Sequence, residues 1–148
     1  MNADPDVAGA DRDIDVDAAV RTAVFLFHDG PGGGPVDTAI VIRPGDAVIL
    51  SATGTILPGA FLGVRTSPEG WLGHPPAEGA PVPSDANAHS LVARVGESAW
   101  FEARSFHEWR AGPDQDGVLV LASNAPAWTA GDASAAWTIT VDVKRTAG

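Results

Sequence analysis

Few side chains in this sequence are grouped in a way that could do chemistry. His28-Asp29 runs into Gly30-Pro-Gly-Gly-Gly-Pro35, but a phosphate cradle needs a Lys and a helix behind the glycines, and neither follows. His107-Glu108 sets two ligand-type side chains side by side, yet neighbours in a strand face opposite ways. His74 and Glu78 are four apart, a spacing that would align them on a helix, and Pro75 and Pro76 forbid that helix. Asp114-Gln-Asp-Gly117 opens like a calcium loop, but no acidic residue closes it at the required distance. There is no His-x-His pair such as a jelly-roll metalloenzyme uses, and no Gly-x-Ser-x-Gly elbow for Ser-His-Asp catalysis. A non-enzymatic protein is therefore expected. The segment with the clearest binding character lies near the C-terminus. There a loop carrying Thr129 and Asp132 separates two strand-like stretches, and Asp132 after Gly131 suits either a turn or a ligand.

Those stretches are Gly117-Val-Leu-Val-Leu-Ala-Ser-Asn124, an apolar run behind a glycine, and Ala136-Trp-Thr-Ile-Thr-Val-Asp-Val143, which alternates large apolar and polar residues. The same signals predict strands at 20–27, 38–42, 47–52, 90–95 and 100–103. Arg43-Pro-Gly-Asp46 is predicted to be a turn with Pro and Gly at its two central positions. Further turns are expected at Gly96-Glu-Ser98 and at Gly112–Gly117, and a long proline-rich segment without strands at 55–87. Trp100 and Trp137, within predicted strands, are expected in the core. Seven or eight short strands separated by turns indicate an all-β jelly-roll sandwich of antiparallel strands. No internal repeat is visible.

With 148 residues the chain fits one domain, expected over 19–145, large enough to fold without disulfide or metal. Residues 1–18 hold six Asp among small residues and read as a solvated acidic tail. A net charge of −10, with nine scattered Lys and Arg, excludes a nucleic-acid surface and disfavours anionic membranes. No apolar run is long enough to span a bilayer, so no membrane insertion is expected. The N-terminal residues form no basic and apolar leader, which leads us to expect a soluble cytoplasmic protein, with leader-less export as the alternative.

Several motifs in a fixed order carry a family likeness. Ile42-Arg-Pro-Gly-Asp46 precedes Val48-Ile-Leu-Ser-Ala-Thr-Gly54; then come Ser67-Pro-Glu-Gly70, His74-Pro75, Ser90-Leu-Val-Ala-Arg-Val-Gly96, Gly117–Asn124 and Trp137-Thr-Ile-Thr-Val141. Together, over residues 20–143, they resemble the PA-I-type galactophilic lectins of bacteria. The resemblance implies a jelly roll that holds calcium at one end, between the loop after the third strand and the last inter-strand loop. Galactose would bind that calcium through vicinal hydroxyls, with added contacts from a His and a Gln. Carried over by position, the His is His74 and the Gln is Ala77, with Glu78 beside it. The carbonyl of the earlier loop falls near Pro58, and a second carbonyl on Thr129. The family's Asn-Asp pair reads Asn124-Ala125 and its Asn-Asn pair reads Asp132-Ala133. Asn124 could stand in for the lost carboxylate only after a one-residue slip, which reverses side-chain facing. Calcium takes about 6–8 oxygens at roughly 2.3–2.6 Å, and Asp132 is the one assured side-chain ligand left.

Trp71 and Trp128 lie on the two loops that would meet at this site, where an exposed indole could stack on a pyranose; burial in the core is the competing role. His74 among its prolines is either a ligand contact or an exposed loop residue. The expected function is non-catalytic binding of a carbohydrate, galactosides by default, through His74, Thr129, Asp132, Trp128, Trp71 and Glu78. The alternative is a protein-interaction sandwich that has lost metal and sugar. A homo-oligomer is implied by resemblance alone.

Overall fold

The computed structural model describes residues 20–27, 35–58, 65–125, 131–132 and 136–145, excluding the side chains of residues 20, 21, 57, 58, 131 and 132. Ten strands follow in order: β1 (Val20–Phe27), β2 (Val36–Ile42), β3 (Ala47–Gly54), β4 (Leu57–Pro58), β5 (Leu91–Val95), β6 (Phe101–Glu102), β7 (Phe106–Arg110), β8 (Gly117–Ser123), β9 (Gly131–Asp132) and β10 (Trp137–Lys144). They form two four-stranded sheets, β1-β10-β3-β7 and β2-β8-β5-β6, plus a two-stranded ladder of β4 and β9. Every pairing is antiparallel. The described residues contain no helix. This is the expected all-β sandwich of two packed sheets.

Period-two burial drives the packing. In β2, β3 and β10 alternate residues are buried, so Ile40, Ile42, Val48, Leu50, Ile139 and Val141 form the shared interior. Phe27 stacks on Trp137 with ring centroids 5.3 Å apart, and the enclosed Trp137 indole donates to the Thr66 carbonyl at 2.9 Å. Trp100 does not share that fate. It precedes β6, is half-buried, and lies 5.0 Å beneath the Arg94 guanidinium. In β5 the run Leu91-Val92-Ala93 is enclosed throughout, because the strand is central and both its faces are covered.

The turn at 43–46 forms as its sequence dictates. Asp46 N–H donates to the Arg43 carbonyl at 3.0 Å, and Gly45 takes the φ of +92° that a side chain would resist. β2 carries a bulge that its sequence did not announce. Its register against β8 shifts between Asp37 and Val41, with Ala39 at φ 60° and the Thr38 hydroxyl donating to the Leu119 carbonyl at 2.7 Å. Left-handed backbone costs an L-residue roughly 1–2 kcal/mol, and the Ala39 side chain is exposed. Ala39→Gly is therefore expected to raise stability by about 1 kcal/mol, read from the urea midpoint.

Candidate functional site

The long segment 65–90 arches over one end of the sandwich, held by a few specific bonds. Thr66 and Ile56 exchange both backbone hydrogen bonds, at 2.8 and 2.9 Å. Trp71 N–H donates to the Ala88 carbonyl, and the Leu91 N–H to that of Pro68. At Gly70, with φ +76°, a Cβ would lie 2.5 Å from the Ala88 carbonyl oxygen, so the crossing of the two strands of this arch requires glycine. Asn124, at the end of β8, ties the arch to the sandwich. Its side chain is fully buried, accepts from Val82 N–H at 2.9 Å, and donates to the carbonyls of Val82 and Asn87 at 3.0 Å each.

These anchors leave an open cleft of about 410 Å³ between residues 73–76, residues 83–87 and Arg104. Its base is an ionic network. Arg104 Nε donates to Glu102 Oε1 at 2.9 Å, and its Nη1 sits 3.7 Å from Glu69 Oε1. The other Glu102 oxygen accepts from Asn87 N–H at 2.7 Å and from the Ser90 hydroxyl at 2.6 Å. Glu69 Oε2 accepts from both the backbone N–H and the hydroxyl of Ser105. The Ser105 hydroxyl bond, opposed by burial and reinforced by the Ser105 N–H and the Arg104 charge, holds the Glu69 carboxyl below its ordinary pKa. Guanidinium and carboxylates are thus fixed before any ligand arrives. Of the four described non-glycine residues with positive φ, Asp85 (57°) and Arg104 (60°) line this cleft, and His89 (61°) lies against Trp71. Such backbone persists only where surrounding bonds over-determine it.

His74 lines the cleft with an exposed side chain. Trp71 lies behind it, half-buried, with its indole N–H donated to the Thr66 hydroxyl at 2.8 Å. The Trp71 ring meets His74 edge-on at 6.1 Å and His89 at 4.4 Å, so it supports the imidazole at the cleft. Burial depresses the His89 pKa, keeping that ring neutral. Glu78 is exposed on the next turn, 77–80, and does not line the cleft. At the same end of the sandwich, the β4–β9 ladder sets Pro58 opposite Gly131 and Leu57 opposite Asp132, which joins the loop after β3 to the last loop. Thr129 and Trp128 lie outside the described residues, as does the Asp132 side chain.

Arg104, Asp85, Ser84 and Asn87 were not singled out in the sequence. Only the polar cluster Pro83-Ser-Asp-Ala-Asn87 within a proline-rich stretch hinted at a structured turn there. Arg104 carried no local signal, since it reaches the cleft through the β6–β7 turn.

The described residues thus form a sandwich of two antiparallel sheets with a structured cleft at one loop end. Among solved structures, the chain is similar to one described as the EclA N-terminal domain, a PllA-like lectin: the TM-score is 0.51 and the identity 19%, over 87% of this chain and 99% of that one. At that identity the likeness is one of fold. No known protein family and no curated protein matches the chain.

Proposed function

We propose that this chain binds carbohydrate without catalysing a reaction, galactosides being the first class to test, at the cleft formed by the 65–90 arch and Arg104. The supporting observation is the cleft itself. It presents an imidazole (His74), a carboxylate (Asp85), a hydroxyl (Ser84) and a prepositioned guanidinium (Arg104) around a space suited to a small polar ligand. Sugar hydroxyls both donate and accept, so a mixed set of this kind suits them. The lectin-like fold of the neighbour points the same way. Trp128, Thr129 and Asp132 remain the further sugar contacts that the family resemblance implies.

Of the four candidate calcium ligands, Thr129 and the Asp132 side chain lie outside the described residues. The described residues hold no group of three or more ligand-type His, Cys, Asp or Glu side chains, and the Asn124 amide is engaged with Val82 and Asn87. We assign binding to hydrogen bonds and ring contacts, with any calcium held at millimolar affinity through Asp132, Thr129 and the Pro58 carbonyl, because the sequence offers only Asp132 as a carboxylate ligand there.

Calorimetric titration of galactose and a small glycan panel, with calcium and again with EDTA, tests this. Saturable binding that survives EDTA is expected, weakened about tenfold by His74→Ala, the loss of roughly one good hydrogen bond. Binding abolished by EDTA would return the metal to the last loop. Silence in both conditions would leave the protein-interaction module as the function.

A further inference from the structure

β7 is the outer strand of its sheet, and its inward residues pair in register with the core: Trp109 with Val48 and His107 with Leu50. Val48 and Leu50 are fully buried, but His107 and Trp109 are only partly so. The cause is on the facing sheet. There the outer strand β6 is two residues long, so it ends before it can cover β7. A cleft of about 290 Å³ opens between the two sheet edges, at the end of the sandwich away from Asn124 and His74. His107 and Trp109 of β7 meet Phe101 of β6 there, with ring centroids 4.9–5.4 Å apart, and Trp100 also lines the cleft. Asp114 and Gln115, from the β7–β8 turn, and Ser98 line it as well.

We infer that this cleft is a second binding site, for a single pyranoside ring whose C–H face lies on the Phe101–Trp109 rings while Asp114, Gln115 and His107 meet its hydroxyls. The aromatic surface supplies the apolar face. Asp114 offers an exposed acceptor. Gln115 is oriented because its Oε1 accepts from Gly112 N–H at 2.9 Å, which leaves its amide N–H groups to donate. Burial pushes the His107 pKa down, so its ring presents one donor and one acceptor at neutral pH. The Trp109 indole N–H is enclosed and has no hydrogen-bond partner among the described residues, so its signal reports contacts on the ring while the ring face, and not the N–H, meets the ligand. A quaternary ammonium is disfavoured despite Asp114. An aromatic cage needs rings on either side of the cation, each about 4–6 Å from it, whereas Phe101, His107 and Trp109 touch one another and the fourth ring of the cleft, Trp100, already carries the Arg94 guanidinium.

The test is a titration of ¹⁵N-labelled protein in EDTA with methyl β-glucopyranoside and methyl β-galactopyranoside, to about 100 mM, a range that covers millimolar ligands. The indole N–H signals are followed, with that of Trp109 identified through Trp109→Phe. The expected result is a saturable shift of the Trp109 indole and the Gln115 amide. The shift should weaken about tenfold in Asp114→Ala, an exposed turn position, and be unaltered in His74→Ala. Absence of a shift at Trp109, a shift lost in His74→Ala, or a response to tetramethylammonium in place of the sugars would overturn the inference. Because the His74 cleft is read separately, failure at one end leaves the other untouched.

Discussion

Asn124→Ala is expected to lower stability by about 3 kcal/mol and to abolish ligand binding at the His74 cleft. The wild-type amide meets one N–H and two carbonyls with the matching group in each case. Each such bond contributes roughly 1 kcal/mol, and stranding a buried partner costs about 1–3 kcal/mol, moderated here because Val82 is half-exposed and water can reach it. The arch would detach at Val82 and Asn87 while the β8 backbone stayed in place, since Asn124 N–H still donates to Ser90 and its carbonyl still accepts from His89. Asn124→Asp should be worse than alanine. It puts acceptor oxygens, and a charge, against two carbonyl oxygens where two N–H donors had been. Urea denaturation gives the stability, and amide exchange at Val82 reports the local release. A loss under about 1 kcal/mol for alanine would mean the arch is held by other contacts.

Arg145→Ala is expected to cost about 3 kcal/mol at neutral pH and progressively less in acid. Asp46 is enclosed, at 1% exposure, and takes a two-point bond from Arg145, with 2.9 Å at both Oδ1 and Oδ2, plus the Arg43 N–H at 2.8 Å. Burial is the largest influence on its pKa and works to raise it. The Arg145 hydrogen bonds, the Arg43 N–H and the two guanidinium charges outweigh burial and hold the carboxyl below its ordinary 3.8. The same bonds raise the Arg145 pKa. A carboxyl with a depressed folded pKa contributes stability that is complete above 3.8 and is lost as pH falls through the folded value. Removing Arg145 leaves a buried charge without its partner, which is the costly way to break such a pair; its half-exposed guanidinium places the effect at the lower end of about 3–5 kcal/mol. Burial then governs Asp46, its pKa rises, and the acid limb of the stability curve moves to higher pH. Once Asp46 is protonated in both proteins, their stabilities should converge. A pH-independent difference would show that Arg145 acts through packing and not through charge. Glu69, also depressed, should add to the acid loss in both proteins.

The strands legible in the sequence are those with either a clean alternation, such as β3 and β10, or a short apolar run, such as β5 and β8. β1 spans the expected residues, and β10 and β3 begin within one residue of them. β7 carries no clear strand signal because Phe106-His-Glu-Trp-Arg110 has large side chains on both faces, and Phe106 is exposed while Trp109 turns inward. The alternation that separates His107 from Glu108 is real, but it also gathers His107 and Trp109 on one face, where Phe101 joins them. β4 and β9 are two residues each, too short for any period, and exist only through their pairing. His74 was recognisable by its place in the motif order. Arg104, Asp85 and Asn87 were not, because nothing local distinguishes a cleft residue from any other loop polar residue.

Local information was enough for the all-β class, the strand alternation and the Arg43–Asp46 turn, since each depends on side-chain period or on one residue's φ preference. The roles of the polar residues depended on long-range partners. Asn124 and Asp46 turn inward because donors and acceptors from segments distant in sequence meet them there, while His74 and Asp85 face solvent. The chemical groups are alike, and only the folded arrangement of Val82, Asn87 and Arg145 makes two of them structural. The aromatic cleft has the same kind of origin: His107 and Trp109 stay partly open because the strand opposite them stops after two residues, of which Phe101 is one.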